Sequence, residues 1–198
     1  MSVRLEVAFF ARECAVVARD LLGRELVAPG VRMRVTETEA YLGPADSAAH
    51  SSKGRTARTD VMFGPVGRAY VYKIYGIHWM LNVVAGEEGS GQAILIRACE
   101  PVEGLEIIAG RRGGRTDPTS LAGPGKVAAA LGIDGTYNRM DLTVAGPLEL
   151  IAGAPVADIL VGPRVGVDYA APGDRDALLR FAEAGSPWVS QRKTLVRP

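Results

Sequence analysis

Apolar residues in the first part of the chain recur first at helical and then at extended spacing. Residues 11–22 have apolar positions three and four apart and predict a helix that ends at Gly23; these positions are Cys14, Val17, Ala18 and Leu21. Two extended runs follow, Arg24–Val27 and Arg32–Tyr41, and Ala28-Pro29-Gly30 between them predicts a tight turn. Period two in the second run predicts a common face for Met33, Val35, Glu37, Glu39 and Tyr41.

An aromatic segment in the middle of the chain has the alternation of a β-hairpin. A strand from Arg68 would place Tyr70, Tyr72 and Ile74 on one face, and Tyr75-Gly76 predicts the tip. The returning strand, His78–Val84, would carry His78, Met80 and Asn82 on one face. A further strand over Gln92–Cys99 would direct Ala93, Leu95 and Arg97 to one side. Residues 43–67 are rich in Gly, Ser and Pro and predict a long loop, which is typical of a functional segment.

The remaining pattern predicts two short helices, over residues 104–110 and 124–131, and strands over residues 148–151 and 164–167. Strands that cluster together, with helices set to one side, favour the α+β class. A length of 198 residues fits one domain. We therefore expect a single α+β domain over residues 1–198, with a curved, mostly antiparallel β-sheet and flanking helices.

Composition excludes several classes of protein. With 47% hydrophobic residues the chain is too apolar for a disordered protein, and no apolar run reaches the ~18 residues of a membrane span. Residues 1–8 do not have the pattern of a signal peptide, and two cysteines, Cys14 and Cys99, cannot build a disulfide scaffold. These features predict a cytoplasmic protein that does not associate with a membrane.

The net charge of +1 does not by itself indicate a nucleic-acid partner. The basic residues are nevertheless clustered, and each cluster is compatible with a solvated loop or with an anionic partner. The clusters are Lys53, Arg55, Arg58 and Arg68; Arg111, Arg112 and Arg115; and Arg192, Lys193 and Arg197.

Metal and nucleotide motifs are poorly matched. The soft ligands Cys14, Cys99, His50 and His78 do not have zinc-type spacing, so we predict no metal and no cofactor. Gly123-Pro124-Gly125-Lys126 at a predicted helix start is not a phosphate-binding loop, because Val127 stands where Ser or Thr is needed. This segment could hold one backbone phosphate with Lys126, or it could be a plain helix cap.

Glu37 and Glu39 are the most suggestive carboxylates. Two carboxylates on one strand face are typical of glycoside hydrolysis, but also of solvent-facing acids at a strand edge. Polar-tipped aromatic residues together with one Asn and one Arg would suit a flat polar ring. From the residues alone, a nucleobase pocket and an ordinary core stay equally open; the residues concerned are Tyr41, His50, Tyr70, Tyr72, Tyr75, His78, Asn82 and Arg97.

Short motifs spread over nearly the whole chain match one known family in order. They are Thr36-Glu37-Thr38-Glu39-Ala40-Tyr41-Leu42-Gly43, Asp46, Ala49-His50-Ser51, Met62-Phe63, Tyr70-Val71-Tyr72, Ile74-Tyr75-Gly76, Asn82, Arg97-Ala98-Cys99-Glu100-Pro101, Gly123-Pro124-Gly125-Lys126, Asp141-Leu142, Arg164-Val165-Gly166-Val167 and Gly185-Ser186-Pro187-Trp188-Val189-Ser190. Together they resemble the alkyladenine DNA glycosylase family, the methylpurine type of 3-methyladenine DNA glycosylase.

The resemblance implies a monofunctional glycosylase of base excision repair that works without a cofactor. Such an enzyme flips an alkylated purine out of duplex DNA and hydrolyses its N-glycosidic bond with water, which leaves an abasic site. By this match Glu39 is the general base, and Arg97 helps to hold the water and the flipped nucleotide. The base pocket is formed by Tyr41, His50, Tyr72 and Asn82, and Asn82 is the residue that would clash with the amine of normal guanine.

The resemblance also implies how the protein meets its partner, double-stranded DNA that contains damaged purines. A protruding β-hairpin would enter the minor groove and insert Tyr75 into the gap left by the flipped base. Arg55, Arg58 and Lys126 would contact the DNA backbone, which sets position but reads no sequence. We expect a monomer, and association with the nucleoid if the source is bacterial.

Some positions depart from the family pattern, and two other functions stay open. Thr59-Asp60, Val66 and Trp79-Met80-Leu81 differ from what relatives carry, so the range of lesions is not predicted. One alternative is a module that binds damaged DNA without chemistry. The other is a nucleoside or sugar hydrolase that uses Glu37 and Glu39, although a structural hydrogen bond is the expected role of Glu37.

Overall fold

A single long strand organises the fold in the computed structural model, which describes residues 3–198. Strand β2 (Val31–Tyr41) pairs along nearly its whole length with β5 (Ala93–Glu103). On its other edge it pairs first with β1 (Glu25–Ala28) and then with β8 (Arg180–Glu183). The middle of β2 is therefore hydrogen-bonded on both sides, and its side chains meet groups from distant parts of the chain.

The other strands extend this sheet, and every strand pairing is antiparallel. The order along the sheet is β3-β4-β5-β2-β1-β6, and β7 is attached through β8. This open antiparallel sheet, with few helices, confirms the α+β class. The remaining strands are β3 (Ala69–Ile74), β4 (His78–Val84), β6 (Glu149–Ile151) and β7 (Ile159–Gly162).

The helices are short and pack against the sheet. The helix predicted over residues 11–22 is confirmed as α2 (Cys14–Asp20), which starts later because the backbone at Glu13 is extended, with ψ of 128°. A separate short helix, α1 (Val7–Phe10), was not predicted. The other α-helices are α3 (Leu105–Arg111), α4 (Pro124–Leu131) and α5 (Pro172–Asp176). Short 3-10 helices cover His50–Lys53, Asp60–Phe63, Pro118–Ser120, Gly135–Tyr137 and Arg192–Thr194.

One apolar core lies between the sheet and the helices. Buried side chains of α2 and α4 share a cluster with Val83, Ile94 and Ile96 of the sheet. The hydroxyl of Thr38 also faces this side and donates to the carbonyl of Ala18 in α2 at 2.7 Å. No helix of residues 3–198 has the length and apolarity needed to cross a membrane.

Strand β2 contains a bulge just before the two glutamates. Val35 lies opposite Cys99 but Glu37 lies opposite Ala98, so Thr36 is an extra residue in β2. A compensating irregularity follows in β5, where Thr38 lies opposite Ile96. The second irregularity leaves Arg97 as the extra residue of β5, at the level of the two glutamates.

The prediction of one common face for β2 is wrong, because the bulge lies between Val35 and Glu37. Met33 and Val35 lie in the apolar core, whereas Glu37 and Glu39 bind residues on the opposite side of the sheet. One inserted residue reverses the alternation of a strand, and a period-two pattern read across it assigns half of the positions to the wrong face. The glutamates are thereby removed from the core and turned toward the loops.

The predicted strand at residues 164–167 is also wrong. These residues form a loop after β7, and the C-terminal strand β8 was not predicted. The buried guanidinium of Arg164 binds Asp46 and the carbonyl of Ala40, which holds the loop by side-chain bonds instead of a backbone ladder. The predicted strands over the hairpin, over residues 92–99 and over residues 148–151, and the helices near residues 104 and 124, are confirmed within a few residues at their ends.

Gly104, at the start of α3, lies close to the backbone of Gly30, and this contact can be tested. Its φ is +80°, and an added Cβ would lie 2.0 Å from the carbonyl oxygen of Gly30. Gly113 also has a positive φ, +65°, but has open space around it. We expect Gly104→Ala to lower the free energy of unfolding by about 3 kcal/mol, and Gly113→Ala by only about 1 kcal/mol. Urea denaturation of both variants measures this difference, and equal losses would contradict the close approach.

Candidate active site

A cavity of about 310 Å³ opens beside the β3–β4 hairpin, on the side of the sheet to which the glutamates turn. Four strands, β2 to β5, contribute to it together with the flanking loops and the start of α4, which places residues from positions 41 to 169 around one space. Seven residues named as candidates from the sequence line it together: Tyr41, His50, Tyr70, Tyr72, Tyr75, Asn82 and Arg97. Cavities of this size are at the lower end of the range for small-molecule sites, roughly 300–1,000 Å³.

Glu39 lies directly behind the lining and is completely buried. Its carboxylate accepts hydrogen bonds from the Tyr41 hydroxyl at 2.9 Å and from the backbone N–H of Val165 at 2.7 Å. Arg97 Nη1 is 3.3 Å from Oε1 of the same carboxylate. All three partners line the cavity, so the carboxylate is held at the back of it by groups that also form its wall.

Glu37 belongs to the framework and not to the cavity lining. Oε1 accepts from Arg180 Nη1 at 3.0 Å and Ser190 Oγ at 2.9 Å, and Oε2 accepts from Ser190 N at 2.7 Å. Arg97 Nε lies 3.3 Å from Oε1. Both oxygens are thus engaged by positive or donor groups, which supports the expected structural role of Glu37.

Arg97 connects the two glutamates. Burial alone would lower its pKa, but the nearby carboxylates of Glu39 and Glu37 more than offset this, and the pKa of Arg97 is raised. The guanidinium therefore stays charged although the side chain is 6% exposed. Arg97 thus places a fixed positive charge 3.3 Å from the Glu39 carboxylate.

Two arginines whose burial sequence reasoning missed, Arg164 and Arg180, complete this arrangement. Arg180 is fully buried, and Arg164 forms a buried two-pronged pair with Asp46. Arg164 also lies over the Tyr41 ring, 4.8 Å from its centroid, and precedes the residue whose N–H binds Glu39. Arginine within an apolar stretch is usually a surface residue, so no pattern in the chain marked these two as buried.

Part of the cavity wall consists of aromatic rings in edge-to-face and tilted contact. The rings of His50 and Tyr72 are 4.6 Å apart between centroids, and those of Tyr70 and Tyr72 are 5.1 Å apart. His50 Nδ1 and the Tyr70 hydroxyl form a hydrogen bond of 2.9 Å. Tyr169, at the mouth, donates from its hydroxyl to the carbonyl of Ala48 at 2.8 Å, and sequence reasoning missed it as well.

Burial keeps these aromatic groups neutral. It raises the pKa of Tyr41, an effect that the Glu39 carboxylate adds to, so the hydroxyl stays protonated and donates to Glu39. Burial likewise raises the pKa of Tyr72. For His50, burial and then the positive charge of Arg58 lower the pKa to about 4, so the imidazole is neutral at neutral pH.

Asn82 and Tyr75 take contrasting positions on the hairpin. Asn82 is buried, and its Nδ2 donates to the carbonyl of Tyr70 at 3.0 Å, which fixes the amide at the cavity wall. Tyr75 is 88% exposed at the tip, with φ of +50°, beside Gly76 with φ of +70°. Positive φ at both positions is the geometry of a tight hairpin turn, and it leaves an aromatic ring in solvent at the edge of the cavity.

The basic residues predicted to contact DNA are not part of the lining. Arg55 pairs with Asp60 at 2.6 Å, and Lys126 Nζ donates to the carbonyl of Thr119 at 2.7 Å. Arg58 lies over the Tyr72 ring, 5.0 Å from its centroid. His78, a sequence candidate, packs against Gly125 instead of facing the cavity. Within residues 3–198 no cluster of three His, Cys, Asp or Glu side chains could hold a metal ion.

Comparison with known proteins identifies the family. A family model described as methylpurine-DNA glycosylase (MPG) matches residues 8–187. The chain belongs to the methylpurine-DNA glycosylase family. This membership confirms the resemblance found in the sequence motifs.

Individual relatives of the family are similar over nearly the whole chain. A protein of Nitrosococcus oceani, provisionally named 3-methyladenine DNA glycosylase, is 51% identical over 195 residues, which cover 98% of this chain and 97% of the relative. The DNA-3-methyladenine glycosylase of Arabidopsis thaliana is 49% identical over 192 residues, 96% of this chain and 75% of that protein. A similarly named protein of Methanocella arvoryzae is 46% identical, over 93% of this chain and 94% of the relative.

The lowered pKa of His50 gives a direct test of the aromatic wall. We expect the His50 resonances to titrate near pH 4 in NMR spectra, because burial and Arg58 disfavour the imidazolium. The chain has two histidines, so the spectrum of His50→Asn assigns the signal. Between about pH 6.5 and pH 4 the unfolded chain carries this proton and the folded chain does not. The free energy of unfolding should therefore fall as the pH falls through that range, and the slope should be smaller in His50→Asn. Titration of His50 at its ordinary pKa would contradict the described environment.

Proposed function

We propose that this chain is a monofunctional DNA glycosylase of base excision repair that excises alkylated purines, of the 3-methyladenine and 7-methylguanine type, from duplex DNA. The observation that carries the proposal is the Glu39 carboxylate, held by Arg97, Tyr41 and the Val165 N–H at the back of an aromatic-walled cavity. Family membership supplies DNA as the substrate, and the names of the relatives point to damaged purines.

The cavity walls suit a flat cationic ring. Tyr41, His50 and Tyr72 all contribute aromatic rings to the lining. Alkylation at N3 or N7 gives the purine a positive charge, and an aromatic face attracts such a cation by ~0.5–2 kcal/mol. Flipping costs least for a base that pairs or stacks poorly, so the damaged purine enters more readily than a normal one.

The chemistry requires one base and one water molecule. Glu39 accepts a proton from water as the water oxygen bonds to C1′ of the sugar, and the electron pair of the N-glycosidic bond returns to the purine. This electron pair neutralises the alkylated base, so no acid has to protonate the leaving group. Arg97 lies against Glu39, and the Glu39 carboxylate would stabilise the positive charge that develops on the sugar. Within residues 3–198 no lysine lines the cavity, which favours water over an amine nucleophile.

The surroundings of the cavity suit duplex DNA. The exposed Tyr75 at the hairpin tip would enter the minor groove and fill the space of the flipped base. Asn82 would oppose the exocyclic amine of normal guanine. Arg55 and Lys126 would contact phosphates, and the protein would act as a monomer.

A hydrolase that uses Glu37 and Glu39 as a catalytic pair has less support. Both oxygens of Glu37 are bound within the framework by Arg180 and Ser190, whereas Tyr41 and Val165, which bind Glu39, line the cavity. An inactive DNA-binding module would bind damaged DNA but form no abasic product. The excision assay described next, which includes the wild-type protein, therefore separates the two functions.

Replacement of the general base tests the mechanism. We expect Glu39→Gln to lower single-turnover excision of 7-methylguanine from a duplex by about 10²–10⁴-fold, because the amide cannot accept the proton of water. Binding to the same duplex should be retained. Glu103→Gln, on the exposed end of β5, is the matched control and should keep wild-type activity. Full activity of Glu39→Gln would exclude the mechanism, and binding without any abasic product in the wild type would favour the inactive module.

Truncation of the hairpin tip tests the role of Tyr75. We expect Tyr75→Ala to lower excision from duplex DNA by about tenfold while single-stranded substrate is affected much less, since only the duplex has a gap to fill. The measurement is single-turnover excision of the same lesion in both contexts. Ile77→Ala, also exposed near the tip, serves as the matched control. An equal loss on both substrates would contradict insertion of the ring into the duplex.

A further inference from the structure

Two guanidinium groups lie against the aromatic walls of the cavity. Arg164 lies over Tyr41 at 4.8 Å, and Arg58 lies over Tyr72 at 5.0 Å, each measured to the ring centroid. These two rings face the space where the proposed function places the purine. The charge of each guanidinium therefore acts on the environment of a bound base through the ring that it covers.

The two guanidiniums differ in whether a carboxylate balances their positive charge. Arg164 is buried and forms a two-pronged pair with Asp46. Arg58 is exposed, and among the ion pairs within residues 3–198 it takes part in none. Its neighbour on the same loop, Arg55, pairs with Asp60 at 2.6 Å, and Arg139 pairs with the other oxygen of Asp60 at 2.9 Å. The carboxylate of Asp60 is thus already paired with two other arginines.

The remaining charges around the cavity cancel. Glu37, Glu39 and Asp46 are three buried carboxylates, and they are matched by three buried guanidiniums, those of Arg97, Arg164 and Arg180. His50 is neutral, because burial and the nearby Arg58 lower its pKa to about 4. Arg58 is left as the uncompensated charge in contact with the aromatic lining.

We propose that Arg58 is a specificity-determining residue whose unpaired guanidinium, stacked on Tyr72, weakens the preference of the pocket for a cationic purine over a neutral one. The inference rests on the proposed function, because it assumes that a purine occupies the cavity. Aromatic walls alone attract a cationic base, and a cation that lies over one of the lining rings opposes that attraction. The enzyme would accordingly accept neutral damaged purines better than a pocket with the same rings and no Arg58.

Excision from paired duplexes tests the proposal. The full chain is compared on duplexes of identical sequence that contain either 7-methylguanine, which is cationic, or hypoxanthine, which is neutral. We expect Arg58→Gln to raise the ratio of the two single-turnover rates in favour of 7-methylguanine by about fivefold, and less at high salt, because Arg58 is exposed and screened. Arg58→Lys retains the charge and should keep the ratio within about twofold of wild type. Arg55→Gln, on the same loop, should lower both rates equally.

A binding experiment separates the pocket from the chemistry. In the Glu39→Gln background, affinities are measured for duplexes with 7-methylguanine and with its neutral isostere 7-methyl-7-deazaguanine. Addition of Arg58→Gln should strengthen binding of the cationic duplex relative to the neutral one by about the same fivefold factor. This comparison does not depend on excision, so a wild-type enzyme without activity would count against the proposed function and not against Arg58.

Two outcomes would overturn the proposal. In the first, Arg58→Gln leaves both ratios unchanged. In the second, it weakens binding to undamaged and damaged duplexes alike and lowers the dependence of binding on salt, which is the behaviour of a phosphate contact. Either result would favour the role of Arg58 predicted from the sequence, which is contact with the DNA backbone.

Discussion

The buried ion network between three strands is the interaction on which the rest of this structure depends. Glu37 and Glu39 of β2, Arg97 of β5 and Arg180 of β8 are all almost completely buried. Removal of each charge from water costs several kcal/mol, and the cost is met only if every charge has partners with good geometry. Here each carboxylate has guanidinium and backbone partners, so loss of a single member would leave an uncompensated charge inside the protein.

The same network brings distant segments together. Glu37 binds Ser190 near the C-terminus, and Arg180 binds the carbonyl of Pro163 just before the loop that reaches Glu39 through Val165. Glu37 and Glu39 share Arg97 as a partner, so one set of bonds balances the buried charges of the framework and holds the carboxylate behind the cavity wall.

The cavity combines rigid walls with an exposed edge. Tyr41, Tyr72 and Asn82 are held by strands and by hydrogen bonds or ring contacts, whereas Tyr75 stands in solvent on a turn. A pocket that selects a ring by shape and charge needs fixed walls, because loose walls would lose the orientation on which selection depends. The positive φ values at Tyr75 and Gly76 place the Tyr75 ring in solvent, which the proposed insertion into a duplex requires.

The sequence by itself determined the elements and the chemistry that have short-range signatures. Alternation located the hairpin and β5, Tyr75-Gly76 located the tip, and the motifs around Glu39, Tyr41 and His50 identified the family. Only the tertiary structure decided which face the glutamates take, because the bulge at Thr36 depends on pairing with β5. It also decided that Arg164 and Arg180 are buried and that Arg58 stays unpaired. A local pattern cannot reveal whether a charged side chain will meet its partner, since those partners lie more than a hundred residues away along the chain for the two buried arginines.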